Sequence, residues 1–268
     1  MGYSDIIKLD TELEGSSLYF AARHGNEAAV RTLVDRGVNM GERTSGGWTP
    51  LHAAAWFGHG TVMKILVEAG ASIEATAHCG WTPLHGAVRN GHEKVTRLLL
   101  SYGSNTTARA SDGDTPLHLA AKCGHENLAR LLLDSADKDA KDKDGRTPLY
   151  ISAKEGYEKI TKLLLNKGAN MAVRTKGGWT ALHAAARFGH ESTSKVLIDM
   201  GSDMESRSKG GETPLFTAAK VGQLEVVRLL VETGANRKAK DDSGLTPQKA
   251  AKKNGYTEVA RWLKEYRN

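Results

Sequence analysis

The chain holds little of what usually announces chemistry. Its two cysteines, Cys79 and Cys123, form no C-x-x-C pair and are too few for a disulfide framework, so a reducing compartment, the cytoplasm or the nucleus, is expected. Aromatic residues make up only 6% of the sequence and prolines number six, so any core must come mainly from Leu, Ala and Val, which suits closely packed helices. No stretch approaches the roughly 18 apolar residues of a membrane span, and the opening MGYSDIIKLDTELEG has no apolar h-region. Neither membrane insertion nor secretion is expected. Nor is there a G-x-x-x-x-G-K-[ST] phosphate loop, a dinucleotide fingerprint, a G-x-S-x-G elbow or a conspicuous carboxylate pair. These absences predict a non-catalytic chain with no cofactor. The net charge of +6 tilts it toward acidic partners without identifying one.

What is abundant is glycine, with 29 residues, and its placement is periodic. The tetrapeptide TPLH or a near copy begins at Thr49, Thr82, Thr115, Thr147, Thr180, Thr213 and Thr246, in steps of 33, 33, 32, 33, 33 and 33 residues, and one step further back lies SSLY at Ser16. Eight units follow, with approximate bounds 12–44, 45–77, 78–110, 111–142, 143–175, 176–208, 209–241 and 242–268. In the last seven, a glycine two places before the Thr marks a turn and Thr is placed to cap a helix, and in six of these Pro occupies its first position. All six prolines stand at that one position. A short Ala-rich helix such as LHAAAWFG is followed by a Gly-His step. A second helix then carries Leu and Val at spacings of three and four and closes on a glycine such as Gly70 or Gly103.

This period and the T-P-L-H-x-A motif closely resemble the ankyrin-repeat family. The resemblance covers roughly residues 12–268 and implies a single all-α domain over 1–268. Its architecture would be an α-solenoid of helix-turn-helix units with short β-hairpin fingers. Repeat 4 departs from the pattern: LLLDSADKDAKD is one residue short and lacks the helix-ending glycine, so the junction near Ser135 and Ala136 is expected to end its helix differently. The ends are expected to be caps. Gln248, Lys249, Lys252 and Lys253 replace apolar or small positions in the last repeat, and Asp5–Glu14 is expected to add a partial helix over the first.

The same resemblance marks the residue before each TPLH Thr, and the two that end each first helix, as facing a concave groove and touching a target. Trp48, Trp56, Phe57 and Trp81 are expected to converge there as an aromatic patch edged by His24 and Arg89, with Trp179, Arg187 and Phe188 as a second, mixed anchor. A basic stripe is expected in repeats 4–7 from Lys122, Arg146, Lys154, Lys143, Lys176 and Lys209. The implied function is a monomeric, non-catalytic module binding a protein or peptide, an acidic one by charge. A small-molecule binder or enzyme in the aromatic groove of repeats 1–3, with His24 or His78 as acid or base, is the alternative. Nucleic acid ranks last, because basic and aromatic residues concentrate in different repeats. Four His pairs seven residues apart, beginning at His52, His85, His118 and His183, are attributed to the repeat and not to metal binding. The TPLH His is expected to bond the adjoining turn and the GH His to brace its own loop.

Overall fold

The computed structural model describes residues 17–266, so Ser16 and the expected partial helix over Asp5–Glu14 lie outside the described residues. Two compact units divide the chain between Asp137 and Lys138. The first holds helix pairs α1 (Ser17–Arg23) and α2 (Glu27–Asp35), α3 (Pro50–Phe57) and α4 (Gly60–Glu68), α5 (Pro83–Arg89) and α6 (Glu93–Ser101), α7 (Pro116–Cys123) and α8 (Glu126–Leu132). The second holds α9 (Pro148–Glu155) and α10 (Glu158–Asn166), α11 (Ala181–Phe188) and α12 (Glu191–Asp199), α13 (Pro214–Lys220) and α14 (Leu224–Glu232), α15 (Pro247–Lys253) and α16 (Thr257–Glu265). Within each unit, first helices pack on first helices and second on second, as a solenoid requires.

Each first helix starts where the sequence places it. Thr49 has extended backbone, accepts from the His52 backbone N–H, and is followed by Pro at the first helical position, where no N–H is needed. The same cap recurs at Thr115, Thr147, Thr213 and Thr246. Alanine lets these helices approach closely, and Ala53, Ala54 and Ala55 are buried completely or nearly so. The second helices bury one stripe, as with Val62, Met63, Ile65 and Leu66 of α4.

The fingers are tight turns. Thr44 N–H donates to the Trp48 carbonyl at 2.9 Å, and His78 N–H of the next finger donates to the Gly46 carbonyl at 3.0 Å. No finger extends into a strand among the described residues. Gly47 has φ of 80°, and a Cβ there would stand 2.9 Å from the His78 backbone nitrogen, so both conformation and close approach demand glycine.

The motif histidines join repeats. His52 Nδ1 accepts from the Thr49 N–H at 3.2 Å, and its Nε2 donates to the Trp81 carbonyl of the next finger at 2.9 Å. His85 and His183 repeat the arrangement toward the Asp114 and Glu212 carbonyls. The GH histidines differ from expectation: they reach back to the preceding repeat and do not brace their own loops. His59 Nε2 donates to the Arg23 carbonyl at 3.0 Å and His92 Nε2 to the Trp56 carbonyl at 2.8 Å. Gly58 sits beneath the latter ring, and a Cβ there would lie 2.7 Å from His92 Nδ1.

Repeat 4 ends its second helix early. Helix α8 stops at Leu132 after 7 residues where its counterparts in repeats 1–3 run for 9. The missing glycine turn is replaced by Ser135 and Ala136 N–H groups that both point to the Leu132 carbonyl. Hydrogen exchange at Ser135 and Ala136 should be faster than at the glycine-ended junctions of Gly103 and Gly168. Equal protection would contradict a weakened end.

Burial holds His52 and His85 down to about 4, against an ordinary 6.5, and lowers His183 too. The unfolded imidazoles take up protons near 6.5 and the folded ones of His52 and His85 only near 4, so the unfolded state binds more protons between these values. Stability should therefore fall as pH drops through that window, by on the order of a few kcal/mol per buried imidazole. Thermal melts from neutral to mildly acidic pH check this, and His52→Gln should flatten the slope.

Candidate functional site

The residue before each Thr and the first residue of each helix-end pair stand eight apart, and the fold turns that spacing into a contact. In repeat 2 the Trp48 and Trp56 rings meet edge to face at 5.2 Å. In repeat 4 Lys122 pairs with Asp114 at 3.7 Å, and in repeat 7 Lys220 pairs with Glu212 at 2.7 Å. In repeat 6 the Arg187 guanidinium lies 5.2 Å from the Trp179 ring centroid. Repeat 5 is the exception, because Arg146 and Lys154 repel. Arg146 turns to Asp142 at 2.6 Å and Asp144 at 3.1 Å, while Lys154 pairs with Glu155 at 2.8 Å.

Three of the four aromatics expected in the first patch do converge. Trp81 of repeat 3 packs at 5.8 Å from Trp56 and 6.5 Å from Trp48. Trp48 is buried beneath the other two, which remain half-buried, so it braces the platform and offers little surface of its own. A residue the sequence reading passed over seats Trp56: Gly86 of α5, where a Cβ would meet the Trp56 ring at 3.4 Å. The equivalent position in repeat 4 holds Leu119. That difference from its counterparts was the available signal.

Phe57 does not join the tryptophans. Its ring stacks on His59 at 6.5 Å, with the Arg23 guanidinium 5.3 Å from its centroid. Phe188 repeats this in the second unit, stacked on His190 at 6.5 Å with Lys154 Nζ at 5.4 Å. In both, the histidine beneath the ring donates to the backbone carbonyl of the cation that covers it: His59 to Arg23 and His190 to Lys154. Phe57 and Phe188 are 42% and 45% exposed, unusual for so large an apolar group.

The remaining expected residues are placed as follows. Arg89 donates to the Cys123 sulfur at 2.8 Å, linking repeats 3 and 4. His24 is exposed and its Nδ1 bonds the Phe20 carbonyl of its own helix at 2.8 Å, while His78 is exposed at a finger tip. Lys122, Arg146 and Lys154 of the expected basic stripe all have carboxylate partners, so these cations are largely neutralised where they stand. Cavities of about 280, 210 and 430 Å³ are lined by residues such as Glu93, Arg130, Lys220 and Asn254, and none of the three touches a tryptophan. No His, Cys, Asp and Glu group suited to a metal occurs among the described residues, and none of their helices is long and apolar enough to cross a membrane.

Truncating Trp48 to Ala should cost about 3–5 kcal/mol, as for other buried large aromatics, and Trp81→Ala less than half of that. Gly86→Leu should dislodge Trp56 and shift its fluorescence toward that of solvated indole, whereas Gly86→Ala, an ordinary contact, should not. Denaturant melts and emission spectra distinguish these outcomes.

The family model for ankyrin repeats, described as three copies, matches residues 4–77, 74–142, 134–208 and 195–268. A comparison with curated protein sequences returns no match. Among solved structures, the crystal structure of the human ASB11 ankyrin repeat domain is similar, with 29% identity, a TM-score of 0.75 and coverage of 83% of this chain and 99% of that one. Caps, fingers, paired helices and motif matches along the whole length agree: the chain belongs to the ankyrin-repeat family.

Proposed function

We propose that the chain is a non-catalytic interaction module whose partner, a protein or peptide, is gripped at two aromatic stations. The first is the indole platform of Trp56 and Trp81 over Trp48 in repeats 2–3. The second, in repeats 5–6, combines Trp179 under Arg187 with Phe188 beside Lys154.

The observation that carries this reading is the half-exposure of Trp56 and Trp81 on a rigid base. An indole whose lower face is already packed loses little side-chain freedom on binding, while its open face still holds apolar area to bury. Clustered Trp and Arg on a pre-ordered surface are the usual substance of binding hot spots. The coarser part, that ankyrin repeats serve as protein-interaction modules, follows from the family.

The test leaves the brace intact. Trp56→Ala combined with Trp81→Ala, with Trp48 untouched, should abolish most partner capture in proximity labelling of the native cell while helical content is preserved. Capture equal to that of the wild type would sink the proposal.

A further inference from the structure

Not every cation of the second unit is neutralised. Lys143, Lys176 and Lys209 stand four residues before the Thr of repeats 5, 6 and 7, at the tips of successive fingers, and all three are exposed. Among the described residues no carboxylate pairs with any of them, while the helix-end cations Lys154 and Lys220 are held by Glu155 and Glu212. Arg146, also on a finger, is held by Asp142 and Asp144, and Arg207 at a finger base leans on the Lys240 carbonyl and Asp242. The equivalent tip positions are Ser45, His78 and Ser111 in repeats 2–4 and Asp242 in repeat 8, so the run of lysines is confined to three repeats.

The spacing of this run is set by backbone bonds. Lys176 N–H donates to the Asp144 carbonyl at 2.8 Å, and Lys209 N–H to the Gly177 carbonyl at 3.0 Å, so each finger is tied to the one before it. A finger is two chain segments wide, and segments joined in this way lie about 4.8 Å apart, so the lysines recur at about 10 Å. An extended β-strand presents one face every second residue, at about 6.7 Å, and misses this step. A polyproline II helix turns once in three residues and rises about 9.3 Å, which matches it with every third side chain on the same face.

We propose that the fingers of repeats 5–7 dock an acidic peptide segment in the polyproline II conformation, with one carboxylate at every third residue meeting Lys143, Lys176 and Lys209 in turn. The proposal rests on the reading of the chain as a protein-binding module and supplies its acidic specificity. Because the lysines are solvated, each contact is weak and screened by salt, and the selectivity comes from matching three at once.

The probe is a labelled proline-rich peptide with glutamate at every third position, compared by fluorescence anisotropy with one of equal length and charge bearing glutamate at every second position. A single-stranded oligonucleotide of equal charge is the third ligand. The full chain should prefer the first peptide several-fold, and K143A/K176A/K209A should weaken it by about tenfold, as the loss of three weak solvated pairs together would give. Lys195→Ala, an exposed lysine on second helix α12, should leave this affinity unchanged. Equal binding of the two peptides, tighter binding of the oligonucleotide, or a triple variant indistinguishable from wild type would each overturn the lysine ladder. Those results would leave the tryptophan platform standing on its own partner-capture test.

Discussion

One imidazole in a dry seam sets much of the rest. The His of the TPLH motif receives the N–H of its own Thr on one nitrogen and donates the other to the next finger's carbonyl, so that it closes a helix cap and a repeat boundary together. Burial keeps the ring neutral, and neutrality is what lets one nitrogen accept while the other donates. The GH histidines make the complementary link backward, from loop to preceding helix end. A short helix pair cannot bury its own apolar faces, and these bonds fix the register in which neighbours bury them. Where the TPLH His gives way to Phe216, burial of an apolar ring takes its place, and Phe216 is among the largest fully buried side chains.

That register creates the candidate surface. Because the finger and the end of the first helix fold toward each other, positions eight apart become partners in repeats 2, 4, 6 and 7, as two indoles, an acid and a lysine, or an indole and an arginine, whereas two cations in repeat 5 turn to other partners. The surface is therefore partly self-satisfied. Three of the six cations that form a stripe in the sequence, Lys122, Arg146 and Lys154, are half of an ion pair in the fold, two of them with a buried carboxylate. What remains to offer is the half-exposed surface of Trp56 and Trp81, the exposed rings of Phe57 and Phe188, and the finger-tip lysines, which no carboxylate among the described residues pairs.

The near-identical stretches GGWTPLHAAAWFGH and GGWTALHAAARFGH show how far such a surface can diverge on one frame. Both keep a Trp before the Thr and a Phe stacked on the following His beneath a cation from the preceding repeat. They differ at two positions, Pro50 against Ala181 at the helix start and the residue eight after the Trp. As Trp56 it extends the aromatic platform into repeat 3, where Gly86 makes room for it, and as Arg187 it covers Trp179 with charge. Helices α3 and α11 are both 8 residues long and both close on a left-handed glycine, so the same frame presents either chemistry.

Repeat number, helix starts, glycine turns and the irregular end of repeat 4 were all legible in the sequence, because each depends on local backbone preference: a Thr cap, a fixed proline φ, a positive glycine φ. The period repeats the positions beside each finger and helix end, and the family resemblance is what marked them as target-facing. Which of those residues are free to bind was decided only by tertiary contact. Trp48 sinks beneath its neighbours, Phe57 turns to His59, and Lys122 and Lys154 find carboxylates, while Lys143, Lys176 and Lys209 find none. Periodicity specifies where a side chain starts, but its partner is set by whichever neighbour lies within a few ångströms, and that neighbour can be the next residue, as Glu155 is for Lys154, or one more than thirty away, as Arg23 is for Phe57.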